Sequence, residues 1–208
     1  PNIPLGNNHK PFVGCLSHTS KFDAFLLVLF GFSPILNNSY TVMMPQYFKY
    51  FSWILRKLNF IPSTRLEDSG NNFVKLTSEL LLQKNKKILL ISPEGSLIAK
   101  KWRSGYFWLA KELNWDIRVC GFDYKNKRIS ISDPYKINYY STPKCIEDRL
   151  IQRMSFITPL YPKNCYANLT KNKEDQSKIK INYKLIIFTI GILSSPISGI
   201  FIKRLSII

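Results

Sequence analysis

Histidine and cysteine are both sparse in this chain. Two histidines, His9 and His18, and four cysteines, Cys15, Cys120, Cys145 and Cys165, are spread over 208 residues with no CxxC pair and no histidine at metal-ligand spacing. That pattern argues against a zinc site or a disulfide framework, and no metal is expected. Acidic residues are few as well: 13 Asp and Glu stand against 30 Lys and Arg, a net charge of +17. Such an excess suits a polyanionic partner, whether nucleic acid, an anionic bilayer or a phosphorylated substrate. Lysine outnumbers arginine 22 to 8, and asparagine and isoleucine are abundant. An AT-rich coding sequence would give the same bias without selection for a basic surface, so charge alone chooses no partner. Neither an RNP-type aromatic strand nor a basic recognition helix is present, and nucleic acid is not expected as a partner. No signal-peptide pattern marks the N-terminus. Nothing in the sequence sets an oligomeric state.

What is present is enough apolar material for a core. A hydrophobic fraction of 45% over 208 residues supports one well-buried domain with a tail. Short apolar runs at 12–17, 40–44, 60–64 and 87–92 read as strands, and 116–123 and 128–132 as two more joined by a turn at Lys125-Asn126. Helices are expected over 20–31, 45–58, 67–84 and 104–113, with a last one over 148–157. Strands alternating with helices predict an α/β fold, a mostly parallel twisted sheet covered by helices on both faces, with an antiparallel hairpin at one side. Sites in such sheets lie past the carboxyl ends of strands.

The domain is expected to span residues 1–162. Residues 163–184 are polar and lysine-rich and read as a basic linker. Residues 185–202 are apolar and read as a membrane-associated segment; as a helix of about 27 Å they approach the roughly 30 Å hydrocarbon thickness.

Two runs then carry chemistry. Ser17-His18-Thr19-Ser20-Lys21-Phe22-Asp23 places an imidazole and a carboxylate five positions apart, between an apolar strand and a helix. A histidine with a pKa near 6.5 suits removal of a hydroxyl proton, and a neighbouring carboxylate orients the ring. Downstream, Ser92-Pro93-Glu94-Gly95-Ser96 follows another apolar strand, with Gly95 permitting a turn that a side chain would obstruct. Between them lies Asn59-Phe60-Ile61-Pro62-Ser63-Thr64-Arg65.

In this order the three runs resemble the first three motif blocks of the glycerolipid acyltransferases, the lysophosphatidic acid acyltransferase family, over roughly residues 9–135. The resemblance implies an O-acyltransferase that moves a fatty acyl chain from acyl-CoA or an acyl carrier protein to a lysophospholipid such as 1-acylglycerol-3-phosphate. No cofactor is implied beyond that co-substrate. His18 would be the general base and Asp23 its partner. Glu94, Gly95 and Ser96 would position the acceptor head group, and Arg65 would hold its phosphate.

Three positions depart from the family pattern: Ser17 replaces an asparagine, Asn59 a glycine, and Leu97 the arginine that follows PEG(T/S). With that arginine absent, either Lys100, Lys101 or Arg103 supplies the phosphate contact or the acceptor is not the simple lysophosphatidate. The same absence admits a second reading, a lipid-binding homologue that has lost turnover. Family precedent also implies a bilayer as partner and a membrane-associated protein whose catalytic domain faces the cytoplasm. Membrane contact is expected from the helix 45–58 and from the C-terminal segment, and the aromatics of 102–110 from core or acyl-channel wall.

Overall fold

Apolar runs without alternation need cover on both sides, and Phe12–Leu16 (β1), buried at every position, shows where that cover is thickest. The structure, a computed structural model, describes residues 10–33, 37–63, 70–95, 101–138 and 140–165. All belong to the first of two compact units, Pro1–Gln176, the second being Ser177–Ile208. After β1 the chain runs through Lys21–Gly31 (α1), Ser39–Met43 (β2), Pro45–Lys57 (α2), Phe60–Pro62 (β3), Gly70–Gln83 (α3) and Ile88–Ile91 (β4). Gly105–Leu113 (α4), Asp116–Asp123 (β5), Arg128–Ile131 (β6) and Pro143–Met154 (α5) complete the elements, with a short 3₁₀ turn at Pro162–Asn164.

The six strands form one sheet in the order β3-β2-β4-β1-β5-β6. Every pairing is parallel except β5 with β6 at the edge. The expected α/β class, with its antiparallel hairpin at one side, is therefore what the chain builds. Alternate strand residues serve opposite faces. Val13, Cys15, Leu89, Ile91, Ile117 and Val119 pack with α4, α5 and part of α3. On the other face Phe12, Leu16, Ile88 and Leu90 meet Leu27 of α1, and Met43, Leu55 and Phe60 join α1 to α2.

One helix lies elsewhere than expected. The last helix begins at Pro143 and ends at Met154, rather than running over 148–157. Thr142 is its cap, its side chain accepting the Cys145 amide at 3.4 Å, and Pro143 takes the first helical position, where a missing N–H costs nothing. The Thr-Pro pair was the signal. The β5–β6 turn falls where Lys125-Asn126 predicts it, closed by Asp123 accepting from the Asn126 backbone and side-chain amides.

At the centre of β1, between β4 and β5, Gly14 has no room for a side chain. A Cβ there would lie 2.7 Å from Leu90 Cδ2 and 3.1 Å from Cys120 Sγ. Gly14→Ala is expected to destabilise the fold by about 1–3 kcal/mol through overpacking, measured as a lowered denaturant midpoint with an unchanged slope.

Candidate active site

The site grows from two strand ends that lie side by side. β1 and β4 pair in parallel with Cys15 opposite Ile91 and Gly14 opposite Leu90. Three residues beyond the last pair, the His18 amide donates to Glu94 Oε2 at 3.1 Å, a separation of 76 residues that continues the strand register. The two motifs therefore meet because their strands are neighbours. Glu94 is 3% exposed, so its carboxylate lies inside the turn it holds.

Asp23 is placed by the start of α1. Ser20 caps the helix, accepting the Asp23 amide at 3.1 Å, while Asp23 Oδ2 accepts the Ser20 and Thr19 amides at 2.9 and 2.8 Å. This reciprocal capping box fixes the carboxylate whatever the imidazole does. Its other oxygen, Oδ1, accepts the Tyr124 hydroxyl from just past β5. His18 Nδ1 stands 3.8 Å from Asp23 Oδ2, close enough for charge attraction and too far for a hydrogen bond. Nδ1 is buried without a hydrogen-bond partner. Burial pushes the His18 pKa below its usual 6.5, and the Asp23 carboxylate opposes that shift. The ring is thus held neutral near neutral pH.

At the end of β4, the Gly95 amide donates to Ser92 O at 3.2 Å, closing the turn. Gly95 has φ +62, and a Cβ on it would lie 2.9 Å from Arg103 Nε. The left-handed backbone favours glycine here, and the Arg103 side chain folded over it would have to shift for any Cβ. The Arg103 amide donates to Pro93 O at 2.8 Å, anchoring that residue to the same turn.

A cavity of about 300 Å³ opens beside these groups. His18, Ser17, Ser92 and Arg103 give it a polar end, while Leu27, Met43, Phe73, Ile91 and Phe122 are among its apolar walls. Its size is at the small end of the range for ligand sites. Burial also holds the nearby strand thiols protonated, with Cys120 pushed up to about 12 and Cys15 raised well above its usual value. Neither is a nucleophile in this state.

Of the residues singled out from the sequence, the structure brings together His18, Asp23, Glu94, Gly95 and Arg103. Lys101 is exposed and does not line the cavity. Arg65, Ser96, Leu97 and Lys100 lie outside the described residues. The aromatics of 102–110 do not form a channel wall. Trp102, Tyr106 and Phe107 are buried in the core, as the first of the two expectations has it, and Trp108 is 46% exposed.

Sequence reasoning missed three contributors. Tyr124 is 101 residues from the carboxylate it binds. Ser92 Oγ is buried without a hydrogen-bond partner at the cavity wall. The stretch 161–165 returns over the motif loop: the Tyr161 amide donates to Thr19 Oγ1, Asn164 Nδ2 donates to Thr19 O, and Cys165 Sγ lies 3.4 Å from Ser17 Oγ. Asn164 and Cys165, whose polar neighbours place them in a linker, are in contact with the site. The position of Tyr124, directly past the carboxyl end of an apolar strand, was the available signal.

The Acyltransferase family model matches residues 3–122. That span is more than half of the chain, and the protein belongs to this family of acyltransferases. It takes in His18, Asp23, Glu94 and Arg103 and stops short of Tyr124. No curated protein matches the chain.

With only two histidines, the imidazole titration can be read directly by NMR, His9→Gln assigning the remaining signal. His18 is expected to titrate below 6.5, and Asp23→Asn to lower it further by removing the charge that favours the imidazolium. The unfolded chain binds this proton first as pH falls through about 6.5, so stability declines below that pH and is fully retained above it. His18→Gln is expected to flatten that decline in denaturant titrations run between pH 5 and 7.5.

Proposed function

We propose that this protein is an O-acyltransferase carrying a fatty acyl chain from acyl-CoA, or an acyl carrier protein, to the free hydroxyl of a lysophospholipid such as 1-acylglycerol-3-phosphate. The observation that carries the reading is the joining of His18 to Glu94 at the polar end of a cavity whose other walls are apolar. An amphiphilic acceptor fits such a gradient, its chain against Leu27, Met43 and Phe73 and its head group at His18 and Arg103.

In this reaction the acceptor hydroxyl attacks the thioester carbonyl while its proton passes to His18 Nε2, the ring nitrogen away from Asp23. The tetrahedral intermediate collapses, the carbon–sulfur bond breaks, and the departing thiolate takes the proton from His18. Products are the ester and the free thiol, with no net change at the protein. Asp23 supports the transient imidazolium electrostatically. Glu94 holds the backbone of His18, and Gly95 leaves space for Arg103. Arg103 contacts the acceptor phosphate in place of the arginine missing at Leu97, with Arg65 and Ser96 in the roles the family gives them and Lys101 as a more remote cation.

The protein works at a bilayer in this proposal, membrane-associated through the segment 185–202 beyond the basic linker, with the catalytic domain on the cytoplasmic side. Among the described residues no helix is long and apolar enough to cross a membrane.

Acyl-CoA-dependent acylation of a panel of lysophospholipids tests the reading. His18→Ala is expected to lower kcat by about 10²–10⁴-fold. Arg103→Gln is expected to raise KM for phosphorylated acceptors by about tenfold or more, consistent with a lost charge-assisted contact, and to leave unphosphorylated monoacylglycerol unaffected. Lipid binding without turnover across the whole panel would sink the enzyme reading in favour of a lipid-binding homologue.

A further inference from the structure

α2 has two faces of opposite character, and the core uses only one. Leu55 is buried against Met43 and Phe60, with Tyr47, Phe48 and Leu58 packed around it. Tyr50 and Trp53, three positions apart and so on one face, are 71% and 65% exposed, and Phe51 is 55% exposed at a break in the helix between them. Single exposed aromatics are ordinary, but Tyr50 and Trp53 at i,i+3 spacing lie side by side and make a patch. Phe51 also departs from helical geometry, at φ −124 and ψ 25.

The chemistry around the patch is one-signed. Lys49, Arg56 and Lys57 are exposed beside it, and α2 contains no acidic residue. Lys49 Nζ lies 5.6 Å from the Tyr50 ring centroid and Lys57 Nζ 5.6 Å from that of Trp53. Large aromatics interleaved with cations on one side of a helix match the headgroup region of a bilayer, where Trp and Tyr rings sit among glycerol and carbonyl groups and Lys and Arg meet phosphates. With 13 residues, α2 reaches about 20 Å and is too short to span a roughly 30 Å hydrocarbon core. It fits a helix lying in the surface plane.

We propose that α2 is the interfacial docking element of this protein, seating Tyr50 and Trp53 in the headgroup layer of an anionic phospholipid bilayer with Lys49, Arg56 and Lys57 on its phosphates. Met44 and Tyr47, at the start of the same helix, line the cavity. Docking therefore sets the cavity beside the lipid surface, so that an acceptor can move in without crossing bulk water. The docking rests on the exposed stripe; its use for acceptor delivery rests on the reading proposed above.

Full-length protein is mixed with phosphatidylglycerol/phosphatidylcholine vesicles carrying brominated acyl chains, and its tryptophan emission compared with that of Trp53→Phe. The difference spectrum reports Trp53 alone, so binding through residues 185–202 cannot imitate it. The expected result is a blue-shifted, bromine-quenched Trp53 signal. Lys49→Gln with Lys57→Gln is expected to weaken partitioning by about fivefold per cation removed, an effect lost on purely zwitterionic vesicles. An unquenched Trp53 in vesicle-bound protein overturns the proposal, as does absence of binding. Concentration-dependent self-association abolished by Trp53→Ala, with no vesicle quenching, assigns the face to a second copy instead. Acylation of detergent-dispersed lysophospholipid is measured in parallel. Failure there with intact quenching counts against the reaction and leaves the docking standing.

Discussion

The hydrogen bond from the His18 amide to Glu94 Oε2 is the contact on which the arrangement of this site depends. It joins two segments 76 residues apart, and the same offset relates Phe12 to Ile88 and Cys15 to Ile91 along the sheet. The interval between the motifs is thus tied to the pairing of β1 with β4. A one-residue slip in that pairing would reverse the faces of Val13 and Cys15 and separate the carboxylate from the amide it holds. Gly14, pressed by Leu90 from β4, lies in the same paired stretch. Packing in the sheet and geometry in the site are set by one register.

That dependence explains how much could be read from the chain beforehand. β1 and β4 are short, apolar and bounded by polar turns, so both were legible, as was the rule that chemistry gathers at strand ends. The adjacency of β1 and β4 was not, since periodicity says nothing of strand order. Tyr124 escaped for that reason: it matters only because β5 flanks β1 on the other side. The start of α5 was missed differently. Its apolar positions Ile146, Leu150 and Ile151 are widely spaced among charged residues, and the Thr142-Pro143 cap outweighed that weak pattern.

α2 shows a third kind of difference. Its sequence reads as an apolar helix available to a membrane, yet Leu55, with Leu58 just past the helix end, serves the core. What remains outside is aromatic and cationic. The membrane contact proposed for this helix thus has a different physical basis from insertion of an apolar rod, combining ring burial at shallow depth with attraction to anionic headgroups.

In a chain of net charge +17, the buried acids are used sparingly and in one place. Asp23, Glu94 and Asp123 are the buried carboxylates among the described residues, and all three lie at or just beyond the carboxyl ends of β1, β4 and β5. Each accepts a backbone amide: from Thr19 and Ser20, from His18, and from Asn126. Those donors offset the cost of removing the carboxylates from water and fix the turns around the cavity. For Asp23 this has a consequence in the proposed reaction. Its oxygens are engaged by the capping box and Tyr124 before any proton moves, so the carboxylate stays put while the imidazole changes state. The neutral ring has an unpartnered Nδ1 at 3.8 Å and gains little from Asp23. An imidazolium gains a full opposite charge at that distance. Burial keeps the resting ring neutral, and the fixed carboxylate favours the protonated ring that forms as the acceptor hydroxyl attacks. Support that strengthens along the reaction coordinate lowers its barrier.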